Sequence, residues 1–113
     1  MENCIFCKIR DGIIPSPKVF ENEHFFIIKD IEPKAKHHYL AIPKTHYKLL
    51  EQLDKEKSLA LQNIFETLPK IAKDLGLENG YRLVINQGDD ADQTVPHLHI
   101  HILGGEKLGW TPA

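Results

Sequence analysis

Residues 97–103, His97-Leu98-His99-Ile100-His101-Ile102-Leu103, alternate imidazole with aliphatic side chains. This alternation fits a strand and not a helix, because successive strand side chains point to opposite faces. The aliphatic set anchors the strand in a core. The histidines then share the other face, with neighbours roughly 6–7 Å apart. That is about the width of a phosphate with its hydrogen-bonding partners. An imidazole with an ordinary pKa keeps one nitrogen unprotonated at neutral pH while the other donates. The central histidine of such a row can attack phosphorus, and its neighbours can hold the oxygens that gain charge. From the pattern alone, an inert polar strand face and a row of metal ligands are the competing readings.

The rest of the chain reads as α+β. Residues 4–10 suit a short helical turn, and Val19-Phe20, a polar Glu21-Asn22-Glu23 and His24 to Lys29 suit a hairpin. His38 to Pro43 reads as a strand closed by proline. From Asp54 the period changes: Leu61, Ile64, Phe65, Leu68, Ile71, Ala72 and Leu75 form a helical stripe, with Asp54 as its cap and Gly76 as its end. Pro69 lies inside that stripe, so a kink near Phe65 is expected. Tyr81 to Gln87 and Leu98 to Leu103 are further strands. Strands, one long helix, then strands again imply a mostly antiparallel sheet.

A chain of 113 residues is expected to form one domain, spanning residues 1–113, with a thin core. Its net charge of −2 argues against a general nucleic-acid partner, which favours basic surfaces. No apolar run reaches membrane-spanning length, and Met1-Glu2-Asn3-Cys4 does not open a secretory signal. A cytoplasmic location is therefore expected, where Cys4 and Cys7 stay reduced. No thioredoxin-like pattern surrounds this Cys-x-x-Cys, so a metal role suits it better than a redox one.

Together these residues resemble the histidine triad family, and within it the nucleoside phosphoramidase (Hint) branch. The resemblance rests on His97 to Leu103 and on Ile5-Phe6-x-x-Ile9, Asp30-Ile31-x-Pro33, His38 to Lys44, Asp74 to Leu77, Gly80-Tyr81-Arg82, Asn86-x-Gly88, Gln93-Thr94-Val95 and the tail from Leu103 through Trp110. It implies an antiparallel sheet of about five strands with one long helix and a short N-terminal helix, and a homodimer that joins two such sheets. It also implies hydrolysis of purine nucleoside phosphoramidates and related nucleoside monophosphate derivatives through a nucleotidyl-histidine intermediate, with no catalytic cofactor. Carried over residue by residue, His99 is the nucleophile, His97 and His101 flank it on the phosphate, and His38 supports it from a neighbouring strand. Asp30 takes the ribose hydroxyls. Asn86, Thr94 and the Val95 backbone N–H take the phosphate and leaving-group region. Ile5, Phe6, Ile9, Ile28 and Ile31 form the slot for the base. His37, beside His38, is expected to be solvated on the opposite face.

Three features depart from the common pattern: Thr94 stands where many relatives carry serine, Asp92 where some carry glycine, and Pro96 precedes the histidines. Cys4 and Cys7 supply half of a zinc site, with His46 and His97 as candidates for the rest. A Cys₂His₂ set fills all four positions, which makes such a zinc structural. The alternative activities are dinucleoside polyphosphate hydrolysis and a non-catalytic nucleotide-binding or scaffold role. The Trp110 tail favours the phosphoramidase branch and is expected to reach the partner's site.

Overall fold

A computed structural model describes residues 3–109. The expectation for Trp110 lies outside the described residues. The elements run α1 (Ile5–Arg10), β1 (Lys18–Glu21), β2 (Phe25–Lys29), β3 (His37–Pro43), α2 (Lys55–Ile71), β4 (Tyr81–Val84) and β5 (Ile100–Gly104). Short 3₁₀ turns occupy Leu50–Gln52 and Asp89–Ala91. The five strands form one antiparallel sheet in the order β1-β2-β3-β5-β4.

Strand alternation sorts the side chains into two layers. Phe25, Ile27, Tyr39, Ala41, Leu98, Ile100 and Ile102 pack with Ile64 and Leu68 of α2. On the other face, Phe26, Ile28, Leu40 and Ile42 pack with Cys4, Phe6, Cys7 and Ile9 around α1. Leu98, Ile100 and Ile102 are fully buried, each worth roughly 1.5–3 kcal/mol of transfer free energy. They fix which way the adjoining histidines must face.

The histidine segment is strand-like over less of its length than its pattern predicts. The ladder starts at Ile100, not Leu98. Pro96 has no N–H to give, His97 N–H turns back to the Val95 carbonyl at 2.8 Å, and Leu98 N–H goes to Tyr47 O at 2.7 Å. The long helix is capped by the Asp54 side chain, which accepts from Lys57 N–H. It runs through Phe65 and Pro69 without a break and ends at Ile71. Pro69 falls in its last turn, where it removes one bond and interrupts nothing beyond. Gly76 still closes the segment. With φ of +77° it allows Leu77 N–H to reach Ala72 O at 2.8 Å and Gly76 N–H to reach Lys73 O at 3.1 Å, a Schellman closure.

Candidate active site

Hydrogen bonds to His99 and His101 define which nitrogen of each is free. His99 is 6% exposed. Its Nδ1–H donates to the His97 main-chain carbonyl at 2.8 Å, which leaves Nε2 as a lone pair. Burial holds its pKa below the usual histidine value, so the ring stays neutral and nucleophilic.

His101 is set by a relay. The Lys34 backbone N–H donates to His38 Nδ1 at 3.0 Å, so the neutral His38 ring carries its proton on Nε2. That proton goes to His101 Nδ1, 2.9 Å away, which puts the His101 proton on Nε2. Asn86 Nδ2 lies 3.5 Å from that nitrogen. Two N–H donors therefore stand side by side on the cavity wall, where both can serve one oxyanion. Burial, with the neighbouring His99 and His38, pushes the His101 pKa down to about 4. Burial also lowers that of His38, though Asp30 pulls the other way.

Asp30 does two jobs. Oδ1 accepts from Glu32 N–H at 2.8 Å and shapes the turn before Pro33, while Oδ2 stands 3.4 Å from His38 Nε2.

These groups open on a cavity of about 560 Å³ lined by Ile5, Phe6, Asp30, Ile31, Asn86, Thr94, Val95, His99 and His101, among others. Ile31 is 94% exposed at its mouth, opposite the buried ring of Phe6. An isoleucine left so bare beside an apolar wall suits a flat aromatic ligand. Ile9 and Ile28, expected in the base slot, do not line the cavity; they are buried in the core beneath it. A second groove, of about 550 Å³, runs between Gly76 and Leu108 along β4 and contains no histidine.

His97 departs from the expected phosphate-flanking position. It is fully buried and does not line the cavity. Its Nε2–H donates to the Pro43 carbonyl at 2.7 Å, which turns a bare Nδ1 toward Cys4, Cys7 and His46. Cys4 Sγ is 3.3 Å from that atom, Cys7 Sγ 3.6 Å and His46 Nδ1 3.2 Å. Cys7 Sγ is also 3.3 Å from His46 Nδ1. One imidazole lone pair cannot accept three hydrogen bonds. A tetrahedral ion with usual metal–sulfur and metal–nitrogen lengths sets its ligand atoms roughly 3.3–3.8 Å apart, which matches this packing. The four ligand atoms all lie within 4.8 Å of one another. The set fits a divalent metal, and the Pro43 carbonyl would be the outer partner that orients His97 toward it.

His37 faces α2's side of the sheet, as alternation requires, but it is not simply solvated. It stacks on Tyr39 with ring centres 6.2 Å apart and fills the space above Gly76 and Gly105, where an added Cβ collides with its ring. Two positioning groups carried no sequence signal, and the role of a third, Gln93, was not legible from its place in the Gln93-Thr94-Val95 motif. The Lys34 N–H and the Pro43 carbonyl are main-chain atoms. Gln93 staples the loop before the histidines, accepting from Gly88 N–H at 2.8 Å and donating to Lys48 O at 3.1 Å. Asp92, in that loop, lines the cavity with φ of +56°, the one left-handed non-glycine residue among those described.

The family model for "Scavenger mRNA decapping enzyme C-term binding" matches residues 3–109. A HIT-like protein from Chlamydia muridarum is 45% identical over 105 residues, covering 93% of this chain and 83% of the relative. A HIT family hydrolase from Legionella pneumophila superposes with a TM-score of 0.89 at 42% identity, covering 98% of this chain and 100% of that one. A Zn-bound histidine triad family protein from Mycobacterium smegmatis superposes with a TM-score of 0.80 at 34% identity, covering 96% of this chain and 81% of that one.

Proposed function

We propose that this chain, which belongs to the histidine triad family, hydrolyses purine nucleoside phosphoramidates and related nucleoside monophosphate derivatives. The observation that carries the reading is the bare Nε2 of His99. It belongs to a neutral ring locked by the His97 carbonyl, and that ring opens on the cavity beside Ile31 and Phe6.

In this reading the base sits between Ile31, Ile5 and Phe6, and Asp30 accepts from the ribose hydroxyls. His99 Nε2 attacks phosphorus as the bond to the leaving amine breaks, and the amine takes a proton from solvent. His101 Nε2–H and the Asn86 amide donate to the phosphoryl oxygens, as do the Thr94 hydroxyl and the Val95 N–H. Water then attacks the nucleotidyl-histidine, releases the nucleoside monophosphate and restores the lone pair.

The charge around the cavity favours this class over dinucleoside polyphosphates. Asp30, Glu32 and Asp92 line it against the single ammonium of Lys34, and a polyphosphate leaving group adds negative charge where carboxylates already stand. Cys4, Cys7, His46 and His97 would hold a structural zinc, which cross-links α1 to the segment before β5 and takes no part in the chemistry. The working unit is a homodimer of one-domain subunits in the cytoplasm. Strand β4 lies at the sheet edge, and an edge invites a second strand.

A panel of adenosine phosphoramidates and diadenosine polyphosphates tests the reading. Higher kcat/KM on the phosphoramidates is expected. Preference for the polyphosphates assigns the other activity, and tight nucleotide binding without turnover of either assigns a non-catalytic role.

A further inference from the structure

His97 faces two ways. Its ring enters the Cys4–Cys7–His46 cluster, and its own carbonyl holds the Nδ1–H of His99 at 2.8 Å. Phe6, carried between the two cysteines on α1, meets both rings edge-on, with centroids 5.8 Å from His97 and 5.2 Å from His99. The same Phe6 lines the cavity. The cluster therefore grips both the peptide that orients His99 and a wall of the ligand cavity.

The hydrogen bonding of the cluster makes that grip depend on an ion. The Nδ1 atoms of His46 and His97 stand 3.2 Å apart. Pro43 keeps the proton of His97 on its other nitrogen, so Nδ1 faces the cluster as a bare lone pair. That single lone pair cannot accept from His46 and both thiols at once, whereas a cation takes all four groups as ligands. Because the His97 carbonyl holds the His99 Nδ1–H, a displacement of His97 is passed directly to the His99 ring.

We propose that His97 is the positioning residue that couples the metal centre to the nucleotide cavity, so that metal loading and nucleotide binding each strengthen the other. The proposal rests on the nucleotide reading above. Coupling of binding free energies is reciprocal. A nucleotide that needs His99 and Phe6 in place must favour the loaded cluster by the same factor by which loading favours the nucleotide.

Two measurements test it. Calorimetry with AMP on the zinc-loaded and zinc-free chains, both checked for native circular dichroism, is expected to show about tenfold tighter binding to the loaded form. The ¹¹³Cd resonance of the cadmium-substituted protein is expected to move on saturation with AMP, a change in ligand geometry that a remote structural staple does not undergo. The cadmium experiment needs no zinc-free protein, so it decides the matter even if removing the metal unfolds the chain. AMP binding with an unmoved cadmium signal overturns the coupling and leaves the functional reading intact. Failure of AMP to bind the loaded protein overturns both.

Discussion

Acidification from pH 7.5 to pH 5 will cost this protein stability through His101, and the cost can be worked from its surroundings. Burial places its folded pKa at about 4, with the His99 and His38 rings and the Lys34 ammonium acting in the same direction and Asp30 against it. In the unfolded chain the value returns to about 6.5. Between those two values the unfolded state binds the extra proton, so stability is complete above the unfolded pKa and is lost as pH falls toward the folded one. At pH 5 the difference amounts to about 2 kcal/mol for this one group. Urea unfolding of the native protein and of His101→Gln at both pH values isolates it. Groups remote from the site titrate alike in both proteins and cancel in the difference, while His38, hydrogen-bonded to His101, titrates as part of the same pair. The native protein is expected to lose about 2 kcal/mol more than the variant over this interval. Equal losses would refute the claim that His101 is kept neutral by its site.

Freshly purified, unchelated protein should contain about one zinc per chain, and Cys4→Ser should lower both zinc content and melting temperature; metal analysis that finds none removes the centre. Gly105→Ala should destabilise by about 1–3 kcal/mol, because φ is +83° there and the new Cβ meets the His37 ring; an unchanged urea midpoint contradicts the packing described. Light scattering should give a dimer, and a monomer at working concentrations refutes that assembly. Deleting residues 109–113 should alter the ratio of rates between substrates with different leaving groups, and an unaltered ratio removes the proposed role of the tail.

Local patterns carried most of the architecture. Leu98, Ile100 and Ile102 do enter the helix-side core, and Asp54 and Gly76 do punctuate the helical segment. Alternation also put His97, His99 and His101 on one side of the chain. It did not reveal that two different environments share that side. His97 meets a cluster built from α1 and from the segment after β3, while His99 and His101 meet the cavity. That division depends on contacts between residues 90 or more positions apart, which no periodicity encodes. Ile9 and Ile28 show the same limit: their apolar character was legible, but whether they face a ligand or a core was not. Main-chain groups are silent in a sequence, so the Lys34 N–H and the Pro43 and His97 carbonyls, which assign the imidazole tautomers, appear only in the fold.

In the proposed mechanism His99 becomes covalently nucleotidylated during turnover. The direct measurement is mass spectrometry of protein quenched during turnover of an adenosine phosphoramidate, under alkaline conditions that spare an acid-labile phosphorus–nitrogen bond. An adenylyl adduct is expected on the peptide that contains His99, and both adduct and turnover are expected to disappear in His99→Ala, which still binds AMP. Turnover at native rates by that variant, or an adduct mapped to another residue, would contradict this mechanism.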